Sequence, residues 1–331
     1  MIRRPGPAVL GLMLAASVAV AEPAPEVAAG CRALAGVLGS VSMADCLEAG
    51  LEPAGGRTVQ GRPILMREYP PLAPREPQGR VLLLGGIHGD EYSSFSVIFR
   101  WMRTLDVHHS GLFHWRVVPG LNLDGLNAGP AVRTNANGID LNRNFPTPNW
   151  HEHQQEYWVE RTGRDPRRYP GEAPLSEPES QWLFSQIEAF RPDAIVTVHA
   201  PLGVVDFDGP KTPPRRLGYL DLHRLGAYPG SLGNFAGLNR GIPVLTLELP
   251  HAGIMPSHAE SAAVWRDLVA WLSRHVRNPP DERPSGEEPP QRIAAGEGYS
   301  TRDSCTICQP DDGSLRQNCC LRDTAWKLLL E

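Results

Sequence analysis

Val81-Leu82-Leu83-Leu84-Gly85-Gly86-Ile87-His88-Gly89-Asp90-Glu91 reads as a buried strand that ends in a glycine turn and opens into a helix. His88 and Glu91 stand three residues apart at that turn, where both can point at one small object. A divalent metal, most often zinc, is the simplest object that rewards an imidazole and a carboxylate together. A His-x-x-Glu pair also arises by chance. It acquires chemical meaning only if a third ligand, a base and an anion clamp follow.

Strand-like apolar runs recur at 81–87, 114–118, 194–198 and 244–249, and helical stretches cover 92–105, 177–190, 232–239 and 258–276. The last helix places Val264, Trp265, Leu268, Val269 and Leu272 at helical spacing. Strands and helices alternate, and the strands are apolar throughout. This predicts an α/β domain with a central sheet covered on both faces. No internal repeat is evident.

The 331 residues can bury one large core, or one catalytic domain plus extras. Thirty-two basic against 37 acidic residues, net −5, give no argument for a nucleic-acid partner. Residues 1–21 read as a secretory signal, with Arg3 and Arg4 ahead of an apolar core and Ala19-Val20-Ala21 as the cleavage site. That core is too short for a comfortable membrane span, and no other segment is long and apolar enough to cross. The mature chain is therefore expected to be exported and soluble, in the periplasm if the source is Gram-negative.

Six cysteines fit an oxidising compartment. Cys31 and Cys46, in a segment 22–54, are expected to pair with each other. Residues 278–291, rich in Pro and charge, read as a linker to a tail, 292–331, that holds Cys305, Cys308, Cys319 and Cys320. Two disulfides account for that tail better than a small metal knuckle, and no catalytic role is assigned to it.

Further constellations lie between these ends. Asn122-Leu123-Asp124-Gly125 and the run from Arg133 to Pro146 form a polar loop long enough to suggest function. Turn chemistry accounts for Asn122, Asp124, Asn135, Asn137 and Gly138. It does not account for Arg133 and Arg143, since turns need no guanidinium. His199 stands where an apolar strand ends, the place where open α/β sheets bind ligands. Glu248 lies inside the apolar strand Thr246-Leu247-Glu248-Leu249, where a carboxylate needs a cation or a proton-transfer role.

His88-x-x-Glu91, Arg133, Asn142-Arg143, His199 and Glu248 together resemble the zinc carboxypeptidase family of metallopeptidases in order and residue type, over roughly residues 55–277. Within the family the chain looks most like the murein peptide amidase branch. It shares the Gly-x-His-Gly-Asp-Glu opening, Asp140-Leu-Asn-Arg-Asn-Phe-Pro146, the short spacing from Arg133 to Asn142, and Tyr228-Pro-Gly-Ser231. The resemblance implies a single catalytic domain with a mixed, mostly parallel central sheet flanked by helices. It also implies one zinc ion per chain, held by His88, Glu91 and His199 with a fourth position left for water. Glu248 would be the general base and Arg133 would steady the oxyanion. Asn142 and Arg143 would hold the substrate carboxylate, and Asp140 would orient His88.

The activity so implied is hydrolysis of the γ-D-glutamyl–meso-diaminopimelate amide of a small murein peptide. A metallocarboxypeptidase acting on ordinary C-termini, or a deacylase of N-acyl amino acids, would use the same zinc chemistry with a different pocket. A peptide binder without catalysis has no need of Glu248 beside three metal ligands. The mobile tyrosine of the digestive carboxypeptidases has no assignable counterpart, although Tyr228 lies in the corresponding part of the chain.

Overall fold

The computed structural model describes residues 23–276, residue 75 excepted. The expected leader, the linker and the tail with its four cysteines lie outside the described residues. Among those residues no helix is long and apolar enough to cross a membrane.

Among the described residues, nine strands form one mixed sheet: β1 (Glu52–Arg57), β2 (Pro63–Tyr69), β3 (Gly79–Leu84), β4 (Phe113–Val118), β5 (Ala194–His199), β6 (Val204–Asp208), β7 (Arg216–Leu217), β8 (Leu220–Leu222) and β9 (Val244–Glu248). Their order is β1-β2-β4-β3-β5-β9-β6-β8-β7. The four central strands β4, β3, β5 and β9 run parallel, while β2 and β6 join them antiparallel. The helices are α1 (Pro25–Ala35), α2 (Met43–Glu48), α3 (Tyr92–His108), α4 (Leu123–Leu126), α5 (Trp150–Gln154), α6 (Pro178–Phe190) and α7 (His258–His275). Two wider π-helical segments span Gln155–Arg161 and Gly233–Asn239.

The sheet separates two apolar layers. In β3, Val81 and Leu83 join the layer that holds α1, α3 and α7, whereas Leu82 and Leu84 join the layer of α6. Neither face of these strands is left to water, which is why their sequence is apolar without alternation. α7 starts with a capping box between Ser257 and Glu260 and buries Val264, Trp265, Leu268, Trp271 and Leu272 along one stripe. Cys31 and Cys46 form a disulfide that ties α1 to α2, and both sulfurs lie in the first apolar layer.

The chain leaves β3 toward β4 on one side and returns to β5 on the other. The crevice opened by that reversal lies at the carboxyl ends of β3 and β5, where open α/β sheets bind ligands. The motif that follows β3 depends on close backbone approach. A Cβ on Gly86 (φ +61°) would fall 2.2 Å from the Phe95 ring, and one on Gly89 would fall 2.3 Å from the carbonyl carbon of Gly125. No larger residue fits at either position while α3 and α4 keep their places.

Candidate active site

His88 follows β3, Glu91 is the residue before the first turn of α3, and His199 ends β5. All three are buried. His88 Nδ1 lies 2.8 Å from Glu91 Oε1 and 3.1 Å from His199 Nδ1, and His199 Nδ1 lies 3.2 Å from Glu91 Oε2. Nε2 of His88 lies 3.1 Å from Asp140 Oδ1. Asp140 accepts that N–H, which leaves the Nδ1 lone pair turned toward the other two groups. Four ligands at zinc–nitrogen distance stand about 3.3 Å apart at the corners of a tetrahedron. The three measured separations match that edge, so the trio has both the donor set and the spacing of a zinc site.

Asp140 is fully buried and links several parts of the site. Its Oδ2 accepts from Arg133 Nε at 3.0 Å, and its Oδ1 also accepts from the Asn142 amide at 3.0 Å. Asp140 therefore caps the loop turn and orients His88 at once. Burial pushes its carboxyl up, but Arg133 and His88 outweigh this and hold it well below the usual carboxylate range. The NH1 of Arg133 stands 3.6 Å from Glu91 Oε1, at the edge of the trio.

Glu248 ends β9 directly opposite the end of β5, in register with His199. It is nearly buried, and its Oε2 has no hydrogen-bond partner among the described residues. Burial pushes this carboxyl above the ordinary glutamate range, against the pull of His199. Buried carboxylate oxygens are rarely left unpaired, so this one is poised for a proton or a ligand.

Arg143 is buried at the other end of the same cleft. Its guanidinium carbon lies 4.6 Å from the Tyr228 ring centre and 5.4 Å from that of Tyr157, an arrangement that favours a cation. Its NH1 donates to the Asn142 carbonyl at 2.6 Å, and its Nε has no hydrogen-bond partner among the described residues. The Arg143 carbonyl accepts from Gln154 Nε2 at 2.8 Å, so the backbone is pinned while the side chain faces the cleft. Asn142 turns its Oδ1 to the Leu232 amide at 2.9 Å, which ties the Tyr228–Ser231 loop to the site.

One cleft of about 460 Å³ is lined by His88, Glu91, His199, Arg133, Asn142, Arg143 and Glu248. Of the eight residues singled out in the sequence, only Asp140 lies behind this wall. Several lining residues were not anticipated. Arg167 and Arg168 come from the segment after residue 148, whose polar sequence carries no recognisable motif. Arg167 donates to Asp90 Oδ2 at 2.8 Å, which occupies the acid between the two motif ligands. Asp206 and Asp208 on β6 also line the cleft. The alternation Val204-Val205-Asp206-Phe207-Asp208 was their only signal, since Asp is disfavoured in strands. As for Asn122 and Asn135, their side chains do satisfy local backbone amides. Asp124 instead reaches across to Thr58, Gln60 and Arg62.

The family pattern described as zinc carboxypeptidase matches residues 53–205. Murein peptide amidase A of Vibrio campbellii is 37% identical over 206 residues, which cover 59% of this chain and 77% of that protein. Murein peptide amidase A of Escherichia coli (strain K12) is 38% identical over 165 residues, 48% of this chain and 64% of that protein. Carboxypeptidase A of Helicoverpa armigera shares the fold with a TM-score of 0.52 at 17% identity, over 67% of this chain and 68% of that one. Fold and site define a zinc-dependent hydrolase. The chain belongs to the zinc carboxypeptidase family.

Proposed function

We propose that the protein hydrolyses the amide between γ-D-glutamate and meso-diaminopimelate in small murein peptides. The observation that carries the hydrolytic reading is the single cleft that joins the His88–Glu91–His199 trio to the Glu248 carboxylate, whose Oε2 has no partner among the described residues, and to the aromatic-backed Arg143. The murein assignment draws support from the two relatives named murein peptide amidase A. We place the reaction outside the cytoplasm, on the leader expected at 1–21 and on the Cys31–Cys46 disulfide, a bond favoured by oxidising compartments.

In this reading His88, Glu91 and His199 hold the metal. Zinc held there would supply a Lewis acid and would lower the pKa of water toward neutrality. Glu248 takes the proton of the attacking water, whose oxygen forms a bond to the amide carbon. Arg133 offers its terminal N–H groups to the oxygen that becomes negative, while Asp140 keeps its Nε in place. The carbon–nitrogen bond then breaks, and Glu248 returns the proton to the departing amine. Arg143, with Asn142 beside it, pairs with the free carboxylate next to that amine.

A peptide panel tests the substrate. Zinc-loaded protein is expected to release diaminopimelate from L-Ala-γ-D-Glu-meso-diaminopimelate far faster than it trims ordinary C-terminal residues. Efficient trimming of ordinary peptides, with the murein tripeptide left intact, would replace this reading by that of a conventional metallocarboxypeptidase.

A further inference from the structure

The carbonyl oxygens of Arg143 and Pro229 converge on one point, and the side-chain amide of Gln154 fills it. Its Nε2 donates to the Arg143 oxygen at 2.8 Å and to the Pro229 oxygen at 3.0 Å. A primary amide carries two N–H donors on one atom, so it answers both acceptors at once. Gln154 is 4% exposed, and its Oε1 has no hydrogen-bond partner among the described residues. A buried acceptor without a partner is unfavourable, and the two bonds made by Nε2 hold the side chain in place against that penalty.

The chain around this amide is closely fitted. A Cβ on Gly230 (φ +69°) would fall 2.0 Å from the Arg143 oxygen and 2.6 Å from Gln154 Nε2. Phe145 donates its amide to the Gly230 carbonyl at 2.9 Å, and the Gly230 amide donates to Thr147 Oγ1 at 3.1 Å. Those bonds join residues 142–147 to residues 228–232 directly. Gln154 belongs to a third segment, at the end of α5, and bonds to both.

Each bond lies beside a ring that flanks the clamp. Pro229 follows Tyr228, and Tyr157 stands three residues after Gln154 in the π-helical segment. The two ring centres lie 5.1 Å apart, and the Arg143 guanidinium carbon lies 4.6 Å from one and 5.4 Å from the other. Gln154 is not among the residues that line the cleft, so its effect on a substrate passes through Arg143.

We infer that Gln154 is a positioning residue of the carboxylate clamp. By holding the Arg143 and Pro229 carbonyls at one point, it fixes the guanidinium against the Tyr157 and Tyr228 rings and aims it at the free carboxylate of the substrate. The inference rests on the reading of Arg143 as that clamp and extends it to the segment after residue 148. Two parallel bonds between guanidinium and carboxylate tolerate little rotation. A loosened Arg143 backbone therefore weakens substrate binding and leaves the chemistry at the metal unaltered.

The test compares zinc-loaded parent, Gln154→Met, Arg143→Ala and the double variant. Each is given the murein tripeptide and the same peptide amidated at the carboxylate beside the scissile bond. Methionine keeps the length of the side chain and removes both donors. Gln154→Met is expected to raise KM for the free acid about tenfold, with kcat within about twofold of the parent. Its kcat/KM on the amidated peptide should match the parent, which also shows that the variant folds. With Arg143→Ala already present, Gln154→Met should change neither constant further. Equal losses on both peptides, a fall in kcat alone, or additive losses in the double variant would overturn the proposal. Calorimetric binding of both peptides to the zinc-loaded Glu248→Gln protein, with and without Gln154→Met, makes the same comparison without turnover. Binding as expected without any cleavage would support the positioning role and count against the hydrolytic reading alone. An Arg143→Ala protein with the parent KM would remove the clamp and this proposal with it. A raised KM in Arg143→Ala beside an unchanged one in Gln154→Met would remove the positioning role only.

Discussion

At the scale of single residues, each polar group in the cleft is held by contacts that leave its reactive face free. Asp140 takes one nitrogen of His88 and the Nε of Arg133, which leaves His88 Nδ1 and the ends of Arg133 directed at the centre. Arg143 follows the same pattern. Tyr157 and Tyr228 bracket its guanidinium, and the carbonyl of Asn142 takes one N–H. A planar guanidinium suits this place better than an ammonium, because the rings and the carboxylate both address a flat, forked group. Arg143→Ala is therefore expected to raise KM about ten- to a hundredfold for peptides with a free carboxylate, and Arg143→Lys should recover little of the loss. Peptides amidated at that carboxylate should not register the substitution. An unchanged KM for the free acid would remove Arg143 as the clamp.

At the scale of elements, the strands that carry the chemistry were the legible ones. β3, β5 and β9 are buried on both sides, so their uninterrupted apolar runs stood out, and any His or Glu within them demanded an explanation. α7 was legible from its helical spacing, and α3 and α6 stand within three residues of the bounds expected for them. β1, β2, β6, β7 and β8 were not, since they are short or interrupted by Gly, Pro or charged residues. The segment expected to be helical at 232–239 winds as a wider π-helix, with Gly233 and Gly237 making room for Asp208.

α6 also carries an acid unrelated to catalysis. Glu179, fully buried in its first turn, accepts from the Val59 amide and from Asn135 Nδ2 at 3.2 Å each. Burial, with Asp124 adding its charge, pushes its carboxyl up to about 7. The folded chain then binds the proton more tightly than the unfolded one. This contribution to stability is full below the ordinary glutamate range and is lost as pH rises through about 7. Urea unfolding of the parent should show a loss on the order of 2 kcal/mol from this group between pH 5 and pH 8. Glu179→Gln should flatten that slope, and an equally steep slope in the variant would contradict the assignment.

At the scale of the whole molecule, separate stretches of chain meet at one crevice because the sheet reverses direction there. His88 and Glu91, His199, Glu248 and Arg143 are brought together by β3, β5, β9 and the loop after α4. Their order and types were readable before any fold was known. The cleft's remaining wall was not. Arg168, Asp206 and Asp208 reach it from the segment after residue 148 and from β6, whose sequences gave no pattern of their own. Those residues line the cleft beyond the metal trio, so the class of reaction was more legible than its substrate.

The central claim is amide hydrolysis by zinc with Glu248 as the base. Its most direct test measures diaminopimelate release from the murein tripeptide by the parent and by Glu248→Gln, with bound zinc quantified in both. The account predicts one zinc per chain in each protein, activity in the parent that chelation abolishes and zinc restores, and a rate at least a hundredfold lower in the variant. A zinc-loaded Glu248→Gln protein that turned over at the parent rate would contradict it.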